Sequence, residues 1–173
     1  MSRIPLSEPC VKNNEWKYVK DCLDTGWVSS AGSYVNLFEK RILRYTKSKH
    51  AIACTNGTGA LHIALNLAGV KEGDEVIVPT ITFIASINAI YYNNAKPIFM
   101  DSDDLYNIDL EKTIDFLKKE TIFKNGSCFN KSSRSRISAI LPVHVFGNAV
   151  KIQELEDLCQ NLNIKIVEDA AES

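Results

Sequence analysis

Short apolar runs of strand length alternate with helical segments along most of this 173-residue chain, and this alternation restricts its fold most strongly. The runs show no in/out alternation of apolar and polar side chains, which is typical of strands buried on both faces. They lie at Ala51–Cys54, Glu75–Val78, Pro97–Met100, Ile137–Leu141 and Ile164–Val167. Such strands, separated by helices, predict an α/β protein whose parallel sheet is covered on both sides.

Apolar residues at helical spacing predict the helices between and before these runs. We predict helices over Glu15–Thr25, Tyr34–Thr46, Ala60–Ala68, Phe83–Tyr92, Leu110–Lys119 and Val150–Asn161. Asp109 is in position to cap the fifth of them. The polar segment Thr121–Arg136, which contains Asn125-Gly126 and four serines, indicates a surface loop. The chain is thus predicted to consist of a helical segment over 1–50 and an α/β part over 51–173.

Composition and charge are those of an ordinary globular protein, with 45% hydrophobic and 24% charged residues. A net charge of -1 predicts no general attraction to nucleic acid or to anionic membranes. The five cysteines are scattered and form no C-x-x-C pair. This pattern argues against a disulfide framework and against a zinc site, so we expect no metal, and it favours the reducing cytoplasm.

Candidate site residues follow the predicted strands, because open parallel sheets bind ligands beyond the carboxyl ends of their strands. Gly57-Thr58-Gly59 follows the first run at the start of a helix, where backbone N–H groups and the helix dipole favour an anion. A tight turn without a ligand explains these residues equally well. Asp169 ends the last run and needs a partner, which a structural salt bridge would provide. Taken singly, Phe83 indicates a core residue and His144 a core or rim histidine.

Five ordered motifs together resemble the DegT/DnrJ/EryC1/StrS family of sugar aminotransferases that depend on pyridoxal 5′-phosphate (PLP). The motifs are Asn56–His62, Gly73–Pro79, Thr82-Phe83, Pro142–Gly147 and Val167–Glu172. The resemblance covers essentially the whole chain. Within the family, Asn14–Val19, Thr25–Ser30, Val145–Asn148 and the Thr121–Arg136 segment resemble the branch of legionaminic-acid-type nucleotide-sugar synthesis. Ala149 departs from that branch, which usually has proline there.

This resemblance implies the large domain of a type I, aspartate-aminotransferase-like PLP enzyme, a three-layer α/β/α fold with a mostly parallel sheet, here truncated. It implies cofactor contacts for six residues: Gly57, Thr58, Phe83, His144, Asp169 and Glu172. Gly57 and Thr58 would hold the phosphate, and Phe83 would cover one face of the pyridine ring. Asp169 would pair with the protonated ring nitrogen. Glu172 would lie near the ring hydroxyl, and His144 would line the site.

By the same resemblance, the reaction moves an amino group from a glutamate-type donor to the C4 keto carbon of a nucleotide-linked 6-deoxysugar. Trp27 and Ser29, in the loop Gly26–Gly32, would contact the sugar nucleotide. Full-length relatives are expected to be homodimers, and neither nucleic acid nor membrane is an expected partner.

The resemblance also places the Schiff-base lysine after Ser173, since Lys165 lies within a strand ahead of the acidic residue. The strands expected beside Ala51–Cys54 would likewise follow Ser173. We therefore expect the 173-residue chain alone to be an N-terminal fragment, poorly stable and inactive. Two other functions stay open. One is a PLP-dependent sugar dehydratase, in which a histidine replaces the lysine; the other is a non-catalytic dimerisation partner.

Overall fold

The computed structural model describes residues 4–5 and 8–173. They form two compact units, one that ends at Ala53 and one that comprises Cys54–Ser173, and each is described by itself. The division of the chain after residue 50 stays a prediction.

Two helices make up the N-terminal unit, α1 (Glu15–Thr25) and α2 (Ser33–Thr46). Helix α1 ends at Gly26, whose φ of 74° is the left-handed conformation that glycine adopts most easily. Tyr18 and Tyr34 meet edge to face with 5.2 Å between ring centroids, and the Tyr34 hydroxyl lies 3.0 Å from Asp21 Oδ2. Neither helix contains a buried residue, so both leave apolar side chains exposed.

The larger unit contains a six-stranded sheet with helices on both faces. Its helices are α3 (Gly57–Leu67), α4 (Ile84–Tyr92), α5 (Leu110–Lys119) and α6 (Gln153–Asn161). Its strands are β1 (Glu75–Pro79), β2 (Lys96–Met100), β3 (Thr121–Lys124), β4 (Ser127–Asn130), β5 (Arg136–Ile140) and β6 (Lys165–Ile166). The order across the sheet is β2-β1-β5-β4-β3, and β6 pairs with β5. Strands β1, β2, β5 and β6 run parallel to one another. Strand β4 pairs antiparallel with both β5 and β3.

Alternate residues of β1 enter two separate cores, one on each face of the sheet. Val76 and Val78 belong to the core that includes residues of α3 and α4. Ile77 belongs to the other core, which includes residues of α5 and α6. All three side chains are fully buried, which explains the absence of polar alternation in this run. The predicted three-layer α/β/α fold with a mostly parallel sheet is confirmed.

The predicted strand over Ala51–Cys54 was wrong. These residues pair with no strand among the residues described. The N–H group of Ala53 instead donates to Oε1 of Glu39, at 2.9 Å. A run of strand-forming residues becomes a strand only when a neighbouring backbone completes the ladder, and here a side chain binds the backbone in its place.

The prediction of a surface loop over Thr121–Arg136 was also wrong. Strands β3 and β4 form a hairpin here, and β4 continues the sheet by pairing with β5. Asn125 and Gly126 both have positive φ, 51° and 75°, which is the conformation of the tight turn that Asn-Gly favours. Cys128 on β4 is fully buried. Because the segment contains many polar residues, the sequence pattern did not indicate that β4 faces the core.

All five cysteines are free thiols, and the core contains two of them, Cys128 and Cys159. Burial raises the pKa of the Cys159 thiol to about 11 and also raises the pKa of Cys128. We therefore expect the exposed Cys10 and Cys54 to react with a disulfide reagent at about pH 8, while the two core thiols react only after denaturant is added. Mass spectrometry of the labelled peptides checks this, and rapid labelling of Cys159 in the native protein would contradict the core described above.

Within the described ranges, no helix is long and apolar enough to cross a membrane.

Candidate functional site

A cavity of about 530 Å³ lies in the larger unit where four chain segments meet. The segments are the start of α3, the β1–α4 connection, the residues after β5 and the residues after β6. Asp169 and the Gly57-Thr58 pair, which are more than a hundred positions apart in the sequence, line this one cavity together with Phe83. Three of the segments follow strands at their carboxyl ends, where α/β sheets bind ligands.

The start of helix α3 presents unpaired backbone donors to this cavity. Asn56, in extended conformation, caps the helix by accepting the Gly59 N–H on its side-chain oxygen at 2.8 Å. In the part of the chain that the structure describes, the N–H groups of Gly57 and Thr58 have no acceptor. A Cβ atom on Gly57 would meet nothing within 4 Å. The two amides and the helix dipole thus form an open anion site.

Asp169 is a buried carboxylate that is held by neutral donors. Its Oδ2 lies 2.7 Å from the Ser86 hydroxyl, and its Oδ1 accepts the Ala171 N–H at 3.2 Å. Its backbone bridges Val143. No lysine, arginine or histidine among the described residues forms a salt bridge with it, so a structural ion pair does not explain this aspartate. A buried carboxylate bounded by neutral groups is suited to a cationic ligand.

Two exposed phenylalanines line the same cavity. Phe83 is 78% exposed at the start of α4, so it is not a core residue. Phe146 is 72% exposed and has a left-handed backbone, with φ of 53°. Its ring meets that of Tyr106 edge to face, with 5.9 Å between centroids. Sequence reasoning did not select Phe146 as a site residue, although it lies within one of the five motifs.

Glu172 fixes the backbone beside Phe146. Its carboxylate Oε2 accepts the Phe146 N–H at 2.7 Å. Gly147 allows the Glu172 backbone to lie close by. Its φ is 80°, and a Cβ atom there would lie 3.1 Å from the Glu172 carbonyl oxygen. Glu172 lines the cavity as well.

His144 is buried, but it is not among the residues that line the cavity. Its Nδ1 accepts the Val150 N–H at 3.2 Å, and its Nε2 lies 2.9 Å from Glu168 Oε2. Because Nδ1 is an acceptor, the ring hydrogen is assigned to Nε2, which donates to Glu168. Both ring nitrogens are therefore occupied by protein groups, and a contact of His144 with the cofactor stays a prediction.

Ser86 and Thr82 were missed by sequence reasoning as site residues. Thr82 lines the cavity, and the fully buried Ser86 lies behind it against Asp169. Ser86 is one small residue within an apolar helix, and no periodicity or motif marks such a position.

Trp27 and Ser29 lie in the N-terminal unit, where they line a groove between α1 and α2 with a volume of about 530 Å³. The groove is mainly apolar, and Tyr18, Leu23 and Arg41 also contribute to it.

A further cavity of about 510 Å³ lies in the larger unit beside residues 102–112 and contains several carboxylates. No group of three potential metal ligands occurs within residues 4–5 and 8–173. Of these spaces, only the cavity at Asp169 combines free backbone donors, a buried carboxylate without a cationic partner and exposed aromatic rings.

Comparison with known proteins shows the family of this chain. The model of the DegT/DnrJ/EryC1/StrS aminotransferase family matches residues 9–173. The chain belongs to this family, whose aminotransferases are PLP-dependent.

The relatives include the GDP-perosamine synthase of Vibrio cholerae, which is 39% identical over 170 residues, 98% of this chain and 42% of that protein. A crystal structure of a DegT/DnrJ/EryC1/StrS aminotransferase from Brucella abortus has a TM-score of 0.80 at 31% identity, covering 91% of this chain and 40% of that one. NtdA from Bacillus subtilis, solved with bound cofactor pyridoxamine phosphate (PMP), has a TM-score of 0.74 at 27% identity, covering 92% of this chain and 34% of that one. The chain thus spans about two fifths of the length of the curated relatives it matches.

The residues of the cavity fit a PLP-type molecule. The free Gly57 and Thr58 amides suit its phosphate, the exposed Phe83 ring suits its aromatic face, and the buried Asp169 carboxylate suits a protonated ring nitrogen.

Proposed function

We propose that this chain provides the cofactor-binding part of a PLP-dependent sugar aminotransferase. The reaction would move an amino group from a glutamate-type donor to the C4 keto carbon of a nucleotide-linked 6-deoxysugar. The observation that supports this proposal most directly is the single cavity that unites Asp169 with the Gly57-Thr58 amides. PLP, when bound, supplies an electron sink that allows an amino group to pass between an amino acid and a ketone.

Each end of the cavity has a distinct task in this proposal. The Gly57 and Thr58 N–H groups bind the phosphate, and the positive end of the α3 dipole adds to the attraction. Asp169 accepts a charge-assisted hydrogen bond from the pyridine nitrogen and so keeps a proton on that atom. This proton makes the ring a stronger electron acceptor.

Phe83, Phe146 and Glu172 orient the ring and restrict access of water. Phe83 covers one ring face with an apolar surface. Glu172 holds the backbone of Phe146 and lies on the cavity wall, near the place proposed for the ring hydroxyl.

The proposed nucleotide sugar is inferred from sequence similarity. The motifs at the front of the chain resemble the legionaminic-acid branch, whereas the relatives quoted above include a protein named for GDP-perosamine. In either case we propose a nucleotide-linked 4-keto-6-deoxysugar as the substrate class, and Trp27 and Ser29 as residues that bind it.

We propose that the 173-residue chain alone shows no turnover, so the function is tested with a full-length protein that carries this chain as its N-terminal part. That protein is assayed with PLP, glutamate and a nucleotide-linked 4-keto-6-deoxysugar. Formation of 2-oxoglutarate together with the aminated sugar nucleotide, followed by mass spectrometry, is the expected result. Parallel reactions with GDP-linked and UDP-linked sugars identify the nucleotide that the enzyme accepts. Loss of a sugar hydroxyl without amination would favour the dehydratase instead. Binding of PMP without any turnover would favour the non-catalytic partner.

Replacing Phe83 with alanine is expected to weaken PMP binding about 2- to 12-fold, because aromatic contacts contribute about 0.5–1.5 kcal/mol. The unfolding temperature should not fall, since the side chain is 78% exposed. Fluorescence titration with PMP and a thermal melt measure the two quantities. Phe123→Ala, at a half-exposed residue outside the cavity, is the matched control. Equal PMP affinity in both variants would remove Phe83 from the proposed site.

We also propose a homodimer and a cytoplasmic location. The exposed apolar residues Ile63, Leu67 and Tyr91 on helices α3 and α4 support an interface, and five free thiols support a reducing compartment. Light scattering after size-exclusion chromatography measures the oligomeric state.

A further inference from the structure

A fully buried serine hydroxyl holds the carboxylate of Asp169 from beneath. Ser86 lies in the first turn of α4, and its Oγ is 2.7 Å from Asp169 Oδ2 across 83 positions of sequence. An ionised carboxylate accepts hydrogen bonds and cannot donate them, so the serine is the donor. Alanine at this place in the helix would have a higher helix propensity and no hydroxyl to desolvate. The hydroxyl at this position is therefore explained by its contact with Asp169.

Thr82 extends this contact towards the cavity. Its Oγ1 lies 2.9 Å from Ser86 Oγ, and the residue itself lines the cavity. Because Ser86 gives its single hydroxyl hydrogen to Asp169, Thr82 is the donor in the Thr82–Ser86 hydrogen bond. The other acceptor within reach of the Thr82 hydroxyl, the Phe83 carbonyl oxygen, is farther away at 3.2 Å. The result is a directed chain of hydrogen bonds from Thr82 to Ser86 to Asp169.

The second carboxylate oxygen is restrained independently. Oδ1 of Asp169 accepts the Ala171 N–H at 3.2 Å, and the aspartate backbone is fixed by hydrogen bonds to Pro142 and His144. Each oxygen of a carboxylate can accept two hydrogen bonds. With one acceptor position used on each oxygen, the group is fixed in orientation and can still accept a hydrogen bond from a ligand.

We propose that Ser86 is a positioning residue, supported by Thr82, that aims the Asp169 carboxylate at the ring nitrogen of the cofactor. This proposal rests on the proposed function, in which Asp169 pairs with that nitrogen. Without the serine, the carboxylate keeps its charge but loses its fixed orientation.

The test uses the purified full chain and PMP labelled with ¹⁵N at the ring nitrogen. In S86A we expect PMP to bind about tenfold more weakly. The ring nitrogen, followed by ¹⁵N NMR, should lose its proton about one pH unit lower than in the wild type. The direction follows because a well-placed carboxylate stabilises the protonated ring. In S86T, which retains the hydroxyl, the ring nitrogen should lose its proton at nearly the same pH as in the wild type.

Ser138→Ala is the matched control, since Ser138 is also buried but its hydroxyl has no hydrogen-bond partner among the described residues. It should leave both PMP affinity and the ring titration unchanged. T82V offers a second route that does not alter a fully buried residue, and it should move the titration in the same direction as S86A by a smaller amount. It therefore keeps the proposal testable if S86A fails to fold.

Three outcomes distinguish the role of Ser86 from the proposed function. A ring titration that moves in S86A and T82V but not in S138A supports the proposal. If D169N moves the titration and abolishes tight PMP binding while S86A and T82V match the wild type, the role of Ser86 is overturned and the proposed function stands. If D169N also matches the wild type, both are overturned.

Discussion

Replacing Asp169 with asparagine is expected to weaken PMP binding about 10- to 100-fold and to suppress amino transfer more strongly than binding. A hydrogen bond to a charged group contributes about 1.5–3 kcal/mol, and each 1.4 kcal/mol corresponds to a tenfold change in affinity. Transfer suffers further because a neutral amide no longer favours a proton on the ring nitrogen, and the ring then accepts electrons less readily.

The fold should survive this substitution, since asparagine has nearly the same shape. Its oxygen can accept the Ala171 N–H, and its NH2 group can donate to the Ser86 hydroxyl oxygen. Titration with PMP and a thermal melt measure binding and stability, and the 2-oxoglutarate assay with a full-length protein that carries this chain measures amino transfer. Glu168→Gln is the matched control, because it removes a neighbouring carboxylate that binds His144 and does not line the cavity. Equal PMP affinity in the two variants would mean that the cavity binds something other than PLP.

The strand-end rule accounts for part of the candidate site, because strand ends in an α/β sheet occupy a common edge. Asp169 follows a strand and lines the cavity, whereas Gly57 lines it although the apolar run before it forms no strand among the residues described. Asp109 likewise caps α5 as predicted, accepting the Lys112 N–H at 3.0 Å. Local rules of this kind depend on residues close in sequence, so they can be applied before the fold is known.

Features that depend on residues far apart in the sequence could not be predicted in this way. Ser86 acts on a residue 83 positions away, and only the folded chain brings the two together. The segment Ala51–Cys54 has a strand-like composition but pairs with no strand in the described part of the chain. The hairpin at Asn125-Gly126 carried a recognised turn sequence, but the polar residues around it outweighed that pattern in the prediction.

A second large effect, on the free energy of unfolding, is expected for an ion pair that joins β5 to the α3–β1 connection. Asp74 is buried, accepts the Lys71 N–H at 2.8 Å, and forms a two-pronged salt bridge with Arg136, whose Nε lies 3.0 Å from Oδ1. Arg136 also donates to the Gly69 carbonyl at 2.7 Å. The hydrogen bonds that Arg136 donates to Asp74 raise the pKa of the guanidinium. An arginine side chain also stays charged without such a partner.

We expect Asp74→Ala to lower the free energy of unfolding by about 3 kcal/mol, because it leaves a half-buried guanidinium without its counter-charge. This is the lower end of the range for broken buried pairs, since the Arg136 side chain retains 30% exposure. Urea denaturation measures the change, and Glu72→Ala, at an exposed neighbour, should stay within about 0.5 kcal/mol of the wild type. The double variant Asp74→Ala/Arg136→Leu should be more stable than the sum of the two single changes predicts, because removing the arginine also removes the unpaired charge. Strict additivity would instead show that Asp74 stabilises the connection through Lys71 alone.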